Sequence, residues 1–157
     1  MSNSLKVIHP QRLLDLPELN IAIFSFLLNF LWEMQQMPFF QLSSEFSCLD
    51  MVGNCTLATV GDIRISLTAF WFVAVVSKSR QWFRQPRWWQ LSNFILVGVV
   101  ITVIFEALAT GVLDTWEYAD IMPILPFSGT GLLPLLQWLL MPPIIVWFVK
   151  RQLPNVK

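Results

Sequence analysis

The chain has 157 residues, 55% of them hydrophobic and only 13% charged, with a formal net charge of zero and a clearly positive mean hydropathy. That composition excludes an ordinary soluble domain of this length. A bilayer crossing needs about 20 mostly apolar residues. Four such stretches use roughly half of the chain and leave no room for a second domain.

Residues 1–18 form a short arm in which Pro10 and Pro17 interrupt any helix. It carries the single histidine, His9, which reads as a solvated residue. The first predicted span covers 19–37 and is closed by Pro38. A cleavable signal peptide would end in a small-residue site, and Glu33-Met34-Gln35-Gln36-Met37-Pro38 has none, so an uncleaved signal anchor is expected. Residues 39–54 read as an outer loop, with a re-entrant or interfacial piece as the alternative. Cys48 and Cys55 fall on this side and are expected to be either disulfide-bonded or two free buried thiols. A quinone-linked thiol oxidant would need a C-x-x-C pair and a second pair, and the chain has neither.

The second span is predicted over 57–77 and the third over 88–111, joined by a basic loop at 78–87. That loop is flanked by Trp82, Trp88 and Trp89, which marks membrane anchoring and not nucleic-acid binding. The loop 112–130 carries Pro123, Pro126 and Gly129 as turn punctuation, with Trp116 and Tyr118 suited to the headgroup level. The fourth span is predicted over 131–149, kinked by Pro142 and Pro143, and 150–157 form a tail. The fold class expected is all-α: a four-transmembrane-helix bundle over 19–149.

Lys6, Arg12, Lys78, Arg80, Arg84, Arg87, Lys150, Arg151 and Lys157 all map to one side of these spans. Glu45, Asp50, Asp114, Glu117 and Asp120 map to the other. The positive-inside rule then places both termini in the cytoplasm.

Within the spans, small and polar residues recur every three or four positions. The stripes are Ala22, Ser25, Asn29, Glu33 and Gln36; then Ala58, Asp62, Ser66 and Ala69; then Gly98, Thr102, Glu106 and Ala109. Such stripes face other helices, because small residues allow close approach and polar ones find partners there. At about 1.5 Å of rise per residue, Glu33 lies about 21 Å above the basic end of its span, Asp62 about 22 Å, Glu106 about 27 Å and Gln137 about 18 Å. All four helices are therefore expected to bring a polar side chain to one level in the outer half of the bilayer.

A charge at bilayer depth is costly and often marks function. Arg64, the one basic residue outside the basic set, lies two positions from Asp62 and so points elsewhere on the helix. It either pairs with Glu33 or Glu106 across the bundle or snorkels to the outer surface. In the plainer reading, Arg64, Asn29 and Gln137 simply satisfy the carboxylates as interhelical glue. In the sharper one, the excess of acid over base holds a proton in a low-dielectric interior and can donate it. Trp32 beside Glu33, Trp138 beside Gln137, and Trp71 supply aromatic faces that stabilise a developing positive charge. Acid plus aromatic walls is what protonation of a carbon–carbon double bond requires. With one histidine, bis-histidine haem and histidine-rich di-iron sites are excluded. No Walker loop, nucleophile elbow or dinucleotide fingerprint is present, so no metal or cofactor is expected.

Asn29-Phe30-Leu31-Trp32-Glu33-Met34-Gln35-Gln36-Met37-Pro38, Gly61-Asp62, Trp116-Glu117-Tyr118 through Met122-Pro123, and Gly129-Thr130-Gly131-Leu132-Leu133-Pro134 through Gln137 to Pro142-Pro143 carry a resemblance. In these motifs the chain resembles a family of small, uncharacterised four-span bacterial integral membrane proteins, which implies the same fold and topology. It is more weakly similar to membrane carotenoid-modifying enzymes of the lycopene-cyclase-domain and carotenoid-hydratase types, through Glu106, Gly111, Trp116 and Tyr118; their paired Pro-x-Glu-Glu pattern is absent. The function expected is binding, or acid-catalysed modification, of a hydrophobic isoprenoid-like molecule. Glu106 would exchange the proton, Glu33 and Asp62 would tune it, and Asn29, Trp32, Arg64, Trp116, Tyr118 and Gln137 would contact the ligand. The alternatives are an accessory subunit, partnered by another membrane protein or a second copy, and proton or ion passage along the carboxylates.

Overall fold

A computed structural model describes residues 14–41, 47–113, 115–126 and 128–153. Lys6, His9, Arg12, Glu45, Asp114 and Lys157 lie outside the described residues. The chain is all-α, with four long helices: α1 (Pro17–Gln36), α2 (Cys48–Val76), α3 (Trp88–Ala107) and α4 (Leu132–Gln152). Among the described residues, three stretches are long and apolar enough to cross a membrane: Cys48–Val76, Trp88–Val112 and Leu132–Gln152. Helix α1 has 20 residues, but Glu18, Asn20, Asn29, Glu33, Gln35 and Gln36 leave it less apolar than the others.

The largest departure from expectation is the start of α2. The residues read as loop up to Asn54 are helical from Cys48. Ser47 and Asp50 form a reciprocal cap: the Asp50 amide donates to Ser47 Oγ at 3.2 Å, and the Ser47 amide donates to Asp50 Oδ2 at 3.0 Å. Two otherwise unsatisfied donors are thus paired, and the helix starts there. Cys48 is exposed, Cys55 is buried, and both thiols are free. Seven residues apart on one helix, their Cα atoms are separated by about 10 Å, too far for a disulfide, which spans roughly 4.4–6.8 Å.

At its other end α2 closes with Lys78 in the left-handed region, φ 52°. The Ser79 and Lys78 amides donate to the Ala74 and Val75 carbonyls at 3.0 and 3.1 Å, a Schellman closure built without the usual glycine. Helix α4 runs unbroken through Pro142 and Pro143. Pro134 sits in its first turn, where a missing amide costs nothing.

Helix α1 packs on α2 and α4, and α3 packs on α2 and α4, so each helix has two neighbours. Gly98 on α3 is what lets α4 come close: a Cβ there would lie 2.0 Å from Cε3 of the buried Trp138. At the basic end the packing is dry. Ile21, Phe70, Val73, Phe94, Ile145 and Val149 form one apolar cluster with Trp82 and Phe83, which tuck in from the turn after α2. Trp82, read from sequence as an interfacial anchor, is instead buried, its indole donating to the Phe70 carbonyl at 3.3 Å. Trp88 does remain exposed. A bidentate Arg80–Glu18 pair at 2.6 Å and a bond from Arg84 to the Leu153 carbonyl at 3.1 Å tie the α2–α3 connection to α1 and α4.

At the opposite end α3 widens into a π turn, Leu108–Val112. The chain after it folds back across the helix ends. The Ala119 amide donates to the Phe39 carbonyl and the Gln41 amide to the Glu117 carbonyl, both at 2.9 Å, pairing Phe40 with Tyr118. A second bridge joins Ile124 to Gly131. Two connections that sequence read as independent loops are thereby one capping layer.

Candidate functional site

The polar stripes of the four helices meet as two groups, and Ala58 of the α2 stripe, expected to face another helix, is exposed. The first is built around Gln137, 2% exposed on α4. Its Nε2 lies 3.1 Å from Asn29 Oδ1, 3.2 Å from Glu33 Oε1 and 3.0 Å from Asp62 Oδ2. One amide nitrogen carries two protons, so it serves at most two of these three acceptors well at once. The carboxyls of Glu33 and Asp62 are thus held by the same amide nitrogen. Below them, Asn29 Nδ2 donates to Ser25 Oγ at 2.9 Å, and Ser25 pairs with Ser66 at 2.9 Å. Helices α1, α2 and α4 are joined through this network, and it ends towards the basic end on the dry cluster of Ile21, Ala69 and Phe70.

The second group surrounds Glu106 on α3. The Tyr118 hydroxyl donates to Glu106 Oε2, and the Trp116 indole donates to the same oxygen at 3.4 Å. The Gly131 amide in turn donates to the Tyr118 oxygen at 3.0 Å. The π turn carries α3 on to Val112, after which the chain reverses and brings Tyr118 back to Glu106. Burial, and then its bond to Glu106, push the Tyr118 phenol above its ordinary range. Phe40 packs against the Tyr118 ring at 5.6 Å between centroids. Glu106 and Asp62 are each 8% exposed. One turn below Glu106, the buried Thr102 hydroxyl has no partner among the described residues.

The remaining candidates sit apart. Trp32 is half-buried and donates to Gln36 Oε1 at 3.0 Å, one turn above Glu33. Arg64 is exposed and pairs with none of the three carboxylates among the described residues. Trp71 faces outwards under the Arg80 guanidinium, 5.6 Å from its ring centre, and so forms no wall of the polar centre. No cluster of three or more His, Cys, Asp or Glu among the described residues is arranged to hold a metal ion.

The sequence reading passed over Phe40 and the Gly131 amide as partners of Tyr118. Both contacts join residues far apart in the chain, and no local pattern announces them. Chemically, the arrangement offers surplus acceptors, two adjacent carboxyls, and a third carboxyl presented to a phenol and an indole. No family model, curated protein or solved structure matches this chain, so the resemblances seen in its motifs gain no support from those comparisons.

Proposed function

We propose that this is a multi-pass protein of a bacterial inner membrane, with α1 as a fourth span and both termini cytoplasmic. We propose further that its carboxyl centre binds a hydrophobic, isoprenoid-like molecule and exchanges a proton with it. The apolar helices indicate a lipid environment, and the one-sided distribution of Lys and Arg supports the orientation. The observation that carries the chemical reading is Glu106, buried without a basic partner among the described residues and held by Tyr118 and Trp116. A carboxyl confined among aromatic groups is suited to give a proton to an apolar double bond and to face the cation that results. Glu106 is the proton donor or acceptor in this reading, and Glu33 and Asp62 set its electrostatic surroundings.

The test is to express the chain in cells that make lycopene-type pigments and to analyse total lipids and the purified protein. A copurified polyene or a changed pigment, lost in Glu106→Gln at unchanged thermal stability, is expected. An unchanged lipid profile with no bound polyene would sink the reading.

A second reading, a non-enzymatic subunit, is favoured by Gln137, whose contacts to α1 and α2 are what interhelical glue looks like. It expects a stoichiometric protein partner after gentle purification, retained in Glu106→Gln. Passage of protons or ions through the bundle is the weakest alternative, because the polar network stops on the apolar cluster at the basic end.

A further inference from the structure

The basic end contains a cavity of about 390 Å³ between the α2–α3 connection and the first turn of α3. We propose that it binds the phosphate of an anionic phospholipid headgroup. Arg84 and Arg87 line it, and Ser79, Gln81 and Gln85 add neutral hydrogen-bonding groups, while no carboxylate among the described residues lines it. Guanidinium groups match phosphate oxygens as a planar fork, which makes arginine the usual residue for this anion. Trp89 and Gln90, in the first turn of α3, form one wall, so the positive end of a 20-residue helix adds to the field there.

Position selects the source of the phosphate. The connection between two membrane-crossing helices lies at the bilayer surface, and the exposed Trp88 beside the cavity marks the headgroup level. The cavity is also held in shape. Trp82 is anchored in the apolar cluster below it, and Arg84 is bonded to the end of α4. Basic pockets at such a depth are where acidic headgroups dock. This site lies at the opposite end from Glu106, and the proposal stands or falls separately from the isoprenoid reading.

The experiment uses the full chain in an uncharged detergent, titrated with phosphatidylglycerol, phosphatidylcholine or inorganic phosphate and followed by native mass spectrometry. Saturable retention of one phosphatidylglycerol is expected, with Arg87→Gln raising the concentration required about fivefold. Ser79→Asp, which puts a like charge at the cavity wall, should weaken binding similarly. Lys150→Gln with Arg151→Gln removes charge from the same end outside the cavity and should weaken binding less than Arg87→Gln does. The Arg87 side chain is exposed and outside the apolar cluster, so its variant should keep the wild-type melting temperature. Equal loss in the Lys150/Arg151 variant would reduce the effect to general surface charge and overturn the site, as would the absence of saturation. Equal affinity for phosphatidylcholine would overturn the preference for an anionic headgroup, and inorganic phosphate binding as tightly as lipid would overturn the lipid source.

Discussion

Gly98 and Trp138 show how much a single residue decides in this protein. The apolar faces of its helices gain little from burial against one another, because lipid is as apolar as leucine, so close packing and interhelical hydrogen bonds carry the association. Gly98→Ala would drive a methyl into the Trp138 ring, 2.0 Å from Cε3. An indole that is 2% exposed has little room to retreat. A loss of about 1–3 kcal/mol is expected, read as a lower midpoint in denaturant unfolding in detergent; an unchanged midpoint would mean that α3 and α4 do not rely on this contact. At this scale the sequence was informative about which residues matter. The stripe Gly98, Thr102, Glu106 and Ala109 is buried as its spacing required, because helical periodicity alone fixes a shared face. Partners were not legible. Nothing local shows that Gln137 serves Asn29, Glu33 and Asp62, or that Glu106 turns to Tyr118.

At the scale of elements, the capping box and the tether at the basic end make separate predictions. Ser47→Ala removes the acceptor for the Asp50 amide, and a loss of about 1 kcal/mol is expected. Faster amide exchange confined to the first turns of α2 would identify the cause, while protection equal to wild type would show that packing alone holds this end. The Ser47-x-x-Asp50 pattern was present in the sequence as a start signal. Gly53, Asn54 and Thr56, which follow it, are poor helix formers and lower the hydropathy of this stretch, so the apolar run from Leu57 is the stronger signal. The Glu18–Arg80 pair makes a pH prediction. Its hydrogen bond to Arg80 holds Glu18 below the ordinary value of 4.5. The pair's contribution is therefore full above that value and lost as pH falls through the lowered one. Arg80 is half exposed, so solvent limits the contribution to about 1 kcal/mol or less. The stability difference between wild type and Glu18→Gln should be present at pH 7 and should close as pH falls through the lowered Glu18 value; a difference that persists in acid would exclude the ion pair as its source.

The whole molecule is asymmetric along its axis, with polar groups and a folded-back capping layer at one end and a dry aromatic cluster at the other. If the proposed orientation holds, exposed Cys48 reacts from the outer side of intact cells with a membrane-impermeant maleimide, and buried Cys55 stays unlabelled until denaturation. Labelling of Cys48 only after the membrane is opened would reverse the orientation. The sequence by itself determined the all-α class, the three stretches long and apolar enough to cross a membrane, the segregation of basic residues and most of the buried helix faces, Ala58 excepted. Each of these follows from composition or from a repeat of three to four residues, which are properties of short stretches of chain. Tertiary structure decided that the polar residues form two groups, that Arg64 stays outside them, that Trp82 is core, and that Tyr118 closes on Glu106. Those outcomes depend on contacts between residues a dozen or more positions apart, and only the packing of the helices and the reversals between them bring such residues together.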